Sequence, residues 1–429
     1  MNTLATIPAW LKRDNDTVSS SVPHWLLDFR QKQWQAFLVK GLPTRKDEHW
    51  KYSDLTFLAN KNFATASFVD EKDWGATIQQ YRLTHSDSIL LVFMNGYFKP
   101  HYSDIKKLPP SVIALSLMDA LKKYPDLVKA NWPDEIDAQH YPFASLNAAK
   151  FVDGLFFYVP DQCELSTPIH LLSLVTDQNE FIAHPHHMLV LGSRAKLKWV
   201  EEYAALSALP YMMNITNHIV VGKEAQLEYY KIQKENKQAV HIAHTIIRQM
   251  QNSQLSLTSF AAGGVFARDE IMVKLFESGA NCRMGGFYCL YEDNQYMDHH
   301  VDIYHAAPHS HSEMLYKGTV DKKSRAVFNG RLYVEKEAQK ILAYQANHNL
   351  LLSKEAEVYS KPELEIYADD VKCKHGASIG QIDQEALFYL RSRGISHRDA
   401  LQMMLKGFAN DILQRITHPG VRMRVQEML

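Results

Sequence analysis

Two stretches of this sequence gather side chains that could do chemistry. The first is Asp298-His-His-Val-Asp-Ile-Tyr-His-Ala-Ala-Pro-His-Ser-His-Ser-Glu313, which holds His299, His300, His305, His309 and His311. Neutral imidazole is the commonest side-chain metal ligand, and a His-x-His pair on a strand aims both rings to one side. A metal-dependent β-barrel oxygenase or isomerase could use His299, His305, His309 and His311 in this way. The blander reading makes them polar strand and turn residues, since no clear carboxylate partner stands at a fixed distant spacing. The second stretch is Asp369-Asp-Val-Lys-Cys-Lys-His-Gly376. Cys373 and His375 are two apart, so on an extended segment they share a face. Thiolate with imidazole is a ligand pair suited to iron or zinc. Two ligands cannot fill a tetrahedral site, so the rest would have to come from elsewhere, including another chain. A lone Cys-x-His is also compatible with a purely structural or surface role.

Other cysteines carry less. Cys282 and Cys289 lie seven apart in a strand-like region and read as buried structural thiols. Cys163 follows a Pro-Asp turn and carries no signal. There is no phosphate-binding loop, Gly-x-Gly-x-x-Gly, Gly-x-Ser-x-Gly or Cys-x-x-Cys, so no local motif supports ATP hydrolysis, dinucleotide binding or a nucleophile elbow.

Bulk properties set the frame for these groups. The chain has 429 residues, hydrophobic residues at 46% and charged residues at 22%, an ordinary globular composition. At roughly 100–200 residues per domain this suggests about two to four structural units. A formal net charge of −1 gives no general attraction to nucleic acid or to an acidic membrane. No leader-like pattern is read in Met1–Asp14, and no long uncharged apolar run suggests a membrane span. Four scattered cysteines do not make a disulfide framework, so the expectation is a reduced, cytoplasmic protein.

The elements that must position the candidate groups change character along the chain. Residues 1–150 read as mostly helical. Trp25, Leu26, Phe29, Trp34 and Phe37 fall near helical spacing after Pro23, and Gly41-Leu-Pro43 ends the run. Ile89–Phe98 reads as two short strands about Asn95-Gly96, followed by helix over Ser116–Lys129 and Phe143–Val152. Over 151–380 short alternating strands separated by small polar turns take over. Gly192-Ser-Arg-Ala195-Lys-Leu-Lys-Trp-Val resembles Gly222-Lys-Glu-Ala225-Gln-Leu-Glu-Tyr-Tyr thirty positions on, and Asn252-Ser-Gln-Leu255 stands thirty further. Glu277-Ser-Gly-Ala280, Lys323-Ser-Arg-Ala326, Glu335-Lys-Glu-Ala338 and Ser353-Lys-Glu-Ala356 are related turns at less regular spacing. A tight turn, a small residue and an alternating strand are what each coil of a β-solenoid needs; a sandwich or barrel is the competing architecture. Residues 381–429 return to helix. Asp383–Ser392 ends at Gly394, Ser396 with Asp399 starts a second helix, and Leu401, Met404, Leu405, Phe408, Ile412 and Ile416 form one stripe on it. By default that stripe packs on the core, although its place near the chain end also suits partner docking.

Taken together, these stretches resemble a known family. Pro362-Glu-Leu-Glu-Ile-Tyr-Ala-Asp-Asp-Val-Lys-Cys-Lys-His-Gly-Ala-Ser-Ile-Gly380 with Leu387-Phe-Tyr-Leu-Arg-Ser-Arg-Gly-Ile395 is similar to the C-terminal signature of the SufB/SufD family of iron–sulfur cluster assembly proteins. So are Tyr316-Lys-Gly, Phe328-Asn-Gly-Arg, Gln345-Ala-Asn-His-Asn-Leu-Leu-Leu-Ser353, Ser145-Leu-Asn-Ala-Ala149 and Glu48-His-Trp-Lys-Tyr-Ser-Asp-Leu55. The length, the Glu48–Leu55 motif and the Cys-Lys-His block lie on the SufD side of that family. Lys374 replaces the usual serine, and Ser378 stands where threonine is common.

The resemblance implies a mainly β fold, with a right-handed parallel β-helix core flanked by N- and C-terminal helical regions. It implies a non-catalytic scaffold that pairs with SufB through the β-helices. The C-terminal helices would dock the ATPase SufC, with Leu401, Met404, Leu405, Phe408 and Ile412 as the docking stripe. A nascent iron–sulfur cluster would be held only within the complex, with His375 and its neighbour Cys373 as ligands at the SufB interface. It further implies a link to iron acquisition and an association of the complex with reduced flavin; self-pairing as a homodimer when SufB is absent is left open by the sequence, and bulk charge and hydropathy point to no nucleic-acid or membrane partner.

Overall fold

An extended segment buries half its surface only if something covers it, and here successive segments cover one another. The computed structural model describes residues 7–12, 22–66, 72–84, 87–134, 136–176 and 180–429. The N-terminal stretch read for a leader lies largely outside them. From Lys196 to Gln381 the chain alternates between two sheets in strands of 8 to 11 residues. Each strand pairs in parallel with the strand two further along, so one sheet holds Lys196–Ala205, Gln226–Lys234, Gln254–Ala261, Asn281–Leu290, His311–Val320, Ile341–Leu351 and Val371–Gln381 in order. The strands between them build the second sheet, which ends at Glu357–Ile366. This is a parallel β-solenoid of about seven coils with helices at both ends, as the turn pattern and the resemblance imply. The parallel register excludes the sandwich and barrel alternatives.

The turns explain the sequence repeat. Gln162, Arg194, Glu224, Asn252, Gly279, His309 and Lys340 all have φ between 53° and 78°, the left-handed region. For a residue with a Cβ that conformation costs roughly 1–2 kcal/mol. A regular ladder offsets it, because each turn donates to the next: Arg194 N–H to Lys223 O at 2.7 Å, Glu224 N–H to Gln251 O at 2.8 Å, His309 N–H to Gln339 O at 2.9 Å and Lys340 N–H to Asp370 O at 2.7 Å. The following residue is small and points into the corner, where Ala195, Ala225, Ser253, Ala280 and Ser310 are fully buried. The pairing Leu197, Leu227, Leu255 shows that the third coil is two residues shorter than the thirty-residue spacing suggests. A two-residue slip keeps every side chain on its face, because the strand period is two. Lys323–Ala326 and Ser353–Ala356 precede strands of the second sheet and form turns on the opposite edge, which is why the later repeats look irregular in sequence.

Helices close the outer faces. His24–Lys40 and Pro142–Lys150 lie over the second sheet, where Phe37, Trp50, Phe143 and Leu146 pack on Met212, Ile242 and Phe266. The helix expected over Ser116–Lys129 is two helices, Leu117–Lys123 and Pro125–Asn131. Pro125 cannot continue the first and instead opens the second. Ile89–Met94 pairs antiparallel with Tyr97–Phe98 around Asn95-Gly96, and also parallel with residues 169–174, so the hairpin is the first rung of the solenoid sheet.

One buried charge cluster locks the N-terminal segment to the solenoid. Arg268 donates to Glu270 at 2.8 Å, to Asp298, and to the carbonyl of His49 at 2.9 Å, with its guanidinium 3.7 Å from the Trp50 ring centre. Arg268 holds the Asp298 carboxyl well below the usual range despite burial. Removing one member of such a buried set strands the others without compensation. We expect Arg268→Leu to cost about 3–5 kcal/mol, read as a large drop in thermal midpoint; an unchanged midpoint would refute the lock.

Candidate functional site

Both candidate ligands stand on the last strand of the solenoid. Val371–Gln381 pairs with Ile341–Leu351 on one side, and no strand among the described residues pairs with its other edge. Its partner at the end of the second sheet, Glu357–Ile366, is likewise the last of its row. Neither strand contains a fully buried residue, whereas the same positions one coil back do. The end of the solenoid is therefore an open face: a row of backbone groups without a strand neighbour and two half-covered inner surfaces.

Strand alternation sets what each side chain of the Cys-Lys-His block meets. Cys373 sits above Ala343 and is half-buried against the solenoid core; this partial burial pushes its thiol pKa up. His375 is on the same inward side above Gln345 and is exposed, because no further coil covers it. Lys374 lies in register with Tyr344 on the outer side, so its charge is directed away from the pair by the pleat. A small neighbour below Cys373 and open space above both groups leave thiol and imidazole available to a ligand arriving from the exposed end.

Several of the motifs that carry the family resemblance gather around this end, whereas Ser145–Ala149 lies on the Pro142–Lys150 helix over early coils of the second sheet. Phe328–Arg331, Gln345–Ser353 and Pro362–Gly380 occupy the last coils of both sheets. The Glu48–Leu55 motif reaches them from the other end of the chain. Glu48 pairs with Lys361 at 2.8 Å, and the Tyr52 ring stacks on Tyr359 at 4.6 Å. Sequence spacing could not reveal this, since the partners are more than 300 residues apart.

The histidine-rich stretch does not form a site. His299 faces the solenoid interior, 5.1 Å from the Tyr288 ring, and burial lowers its pKa to about 4. His305 is also interior, held by the hydroxyls of Ser310 at 2.7 Å and Ser312 at 2.9 Å. His300 lies on the outer face 2.9 Å from Asp298, and His309 and His311 are exposed at a turn. Among the described residues no three His, Cys, Asp or Glu groups are gathered to hold a metal ion. Cys282 and Cys289 are buried, as read from the sequence, and burial pushes the Cys289 thiol up to about 11.

The C-terminal stripe divides by depth. Leu405 and Ile412 are buried within the chain, Leu405 beside Leu387 and Ile412 against Phe287 and Cys289 of the solenoid, so neither presents a surface to a partner. Leu401, Met404 and Phe408 are half-buried at the same contacts. Lys317 fixes this helix by donating to Phe408 O at 3.0 Å and pairing with Asp411 at 2.5 Å. The apolar side chains that do face outward are ones the stripe reading passed over: Phe388 at 72% exposure, Tyr389 at 57% and Met403 at 52%. The signal was present in the sequence, because Phe388 and Tyr389 fall off the inward stripe of the Gln384–Ser392 helix.

With this geometry in place, the comparisons with known proteins agree on one family. Residues 174–408 match the SUF system FeS cluster assembly, SufBD core domain, and residues 4–171 match the SufBD protein N-terminal region. The chain belongs to the SufBD family of the SUF iron–sulfur cluster assembly system. It is 31% identical to the iron-sulfur cluster assembly protein SufD of Escherichia coli K12, over 92% of this chain and 90% of that protein. It is 32% identical to a Synechocystis SufBD family protein over 97% of this chain and 93% of the other, and 25% identical to Bacillus subtilis SufD over 95% and 94%. No helix among the described residues is long and apolar enough to cross a membrane.

The depth of the four thiols gives a direct check. Iodoacetamide should label Cys163 and Cys373 in the native chain while Cys282 and Cys289 react only after unfolding, as read by peptide mass spectrometry; native labelling of Cys282 would contradict its placement.

Proposed function

We propose that this chain is a non-catalytic scaffold subunit for iron–sulfur cluster assembly, and that the open end of its solenoid is where a SufB-type subunit and the nascent cluster meet it. The observation that carries this reading is that Cys373 and His375 lie on the terminal strand of their sheet, whose outer long edge pairs with no strand among the described residues. Two ligands are half a tetrahedral shell, and an unpaired edge strand is a template for another strand. A second solenoid placed there would cover the exposed inner faces, pair the free backbone and supply the missing ligands in one step. The same edge would let two copies pair when the partner is absent. Iron delivered to the complex would meet this subunit at the same two side chains, and reduced flavin would belong to the complex. The protein would work in the cytoplasm.

The C-terminal helices suit docking of a SufC-type ATPase, through Phe388, Tyr389 and Met403 with the rims of Leu401, Met404 and Phe408. Their mechanical link to the cluster end supports a coupled motion. The Lys317–Asp411 pair ties the Ser396-capped helix to the sheet, and His348, on the neighbouring rung to Lys317, hydrogen-bonds Ser378 of the terminal strand at 2.7 Å. A displacement of the helix would reach the terminal strand through three contacts, the kind of rigid-element transfer that switches interfaces.

Two experiments test these parts separately. His375→Ala changes an exposed side chain, so assembly of the complex and thermal midpoint should stay as in the parent, while cluster yield on reconstitution with ferrous iron and sulfide falls about 10-fold or more; full yield would reject His375 as a ligand. Truncation after Ile395 would abolish ATPase binding but would also strip cover from Tyr230, Phe260 and Phe287. The cleaner test is Phe388→Ala with Tyr389→Ala, expected to weaken association with the ATPase by about 10-fold or more, the scale of an aromatic hot spot. Unchanged association would move the docking surface elsewhere.

A further inference from the structure

The inward column that ends at His375 changes chemistry one step before it gets there. Read along the solenoid in register, the column is Trp199, Tyr229, Leu257, Met284, Met314, Gln345 and His375. Five coils place an aromatic or aliphatic side chain at this position, and the sixth places a carboxamide directly beneath the imidazole. Gln345 is 3% exposed. Its amide orientation is determined by its surroundings: the NH2 end donates to the carbonyl of Glu363 at 3.4 Å, which only a donor can meet, so the other end is the oxygen. That oxygen, Oε1, is buried and has no hydrogen-bond partner. Space is kept for it on the opposite sheet, where a Cβ on Gly330 would lie 3.0 Å away. A buried acceptor left unpaired is destabilising, so a carboxamide at a position that takes methionine in the two preceding coils calls for a donor from a side chain free to turn toward it, and the exposed His375 on the next rung is such a side chain.

We propose that Gln345 is a positioning residue for His375: its Oε1 accepts the ring N–H of His375 when the imidazole turns down onto the solenoid end, leaving the other ring nitrogen deprotonated and directed out of the open face toward the cluster. A neutral imidazole carries one N–H and one lone pair, and a hydrogen bond to the first determines which nitrogen offers the second. The donor and acceptor stand on adjacent rungs of one column, and His375 has no other partner among the described residues that would hold the ring. The inference rests on the reading of His375 as a ligand and adds the group that decides its tautomer. Gly330, Gln345 and Glu363, drawn from three separate sequence motifs, would then form one device: an acceptor, its anchor and the room it needs.

The test uses Gln345→Met, the side chain that the same column carries at 284 and 314, so folding and thermal midpoint should be retained. In the full-length chain with nitrogen-15-labelled histidine, the His375 ring signal, assigned by its loss in His375→Gln, should report one dominant tautomer in the parent and a mixed population in Gln345→Met. In the co-purified complex, Gln345→Met should weaken cluster retention by about 10- to 100-fold, the usual scale for an outer-shell partner of a ligating histidine. An unmoved His375 signal in Gln345→Met overturns the proposal. If instead the tautomer shifts but His375→Ala assembles clusters normally, Gln345 still orients the ring, and it is the ligand role of His375 that fails.

Discussion

A parallel coil cannot complete itself. Its strands hydrogen-bond only to the coil before and the coil after, and its inner face is buried only by the coils on either side. Every interior rung of this solenoid meets that requirement, which is why one column after another, from Leu197 to Ala343 and from Trp199 to Met314, stays in register. The terminal rung fails it on one side. The strands Glu357–Ile366 and Val371–Gln381 have the same lengths and alternation as those before them, and they differ only in lacking a neighbour. The exposure of His375, the half-burial of Cys373 and the open backbone edge are all consequences of that single missing coil.

The other described residues shield the solenoid along its faces and leave this end uncovered. N-terminal helices cover the second sheet, and Arg268 locks Trp50 and the Glu48–Leu55 motif against it. C-terminal helices cover the first sheet through Ile412, Ile416 and Val421 on Tyr230 and Phe287. The N-terminal motif extends as far as Tyr359 and Lys361 but contacts them from the side, so the terminal strands are braced without being capped. A solenoid end braced in this manner can present ligands in a constant geometry while remaining free to accept a second subunit.

Much of the fold was legible in the residues alone, for a local reason. Turns with a left-handed residue followed by alanine or serine have a short-range signature, and helix caps such as Asp383 and Ser396 sit within three residues of the N–H groups they accept. The break at Tyr124 was missed because the apolar spacing runs on across Pro125. The repeat at Asn252 was misaligned by two, a slip to which the strand period is blind. The stripe from Leu401 to Ile412 lies on one helix, but periodicity does not say whether a face meets its own core or a partner; Leu405 and Ile412 meet the core.

What the sequence determined by itself was the set of chemical groups and the local geometry of each segment: a Cys-x-His pair sharing one face of an extended strand, a run of solenoid turns, and capped amphipathic helices. What only the tertiary structure decided was which strand would be last, and therefore which side chains would lack a cover. That choice depends on where coils stop stacking, a sum over contacts between residues about thirty apart and, at the N-terminal brace, more than 300 apart. Gln345 shows the difference. Its neighbours in sequence make it one more polar residue in a strand, and only the register with Met314 below and His375 above makes its oxygen an acceptor awaiting a donor.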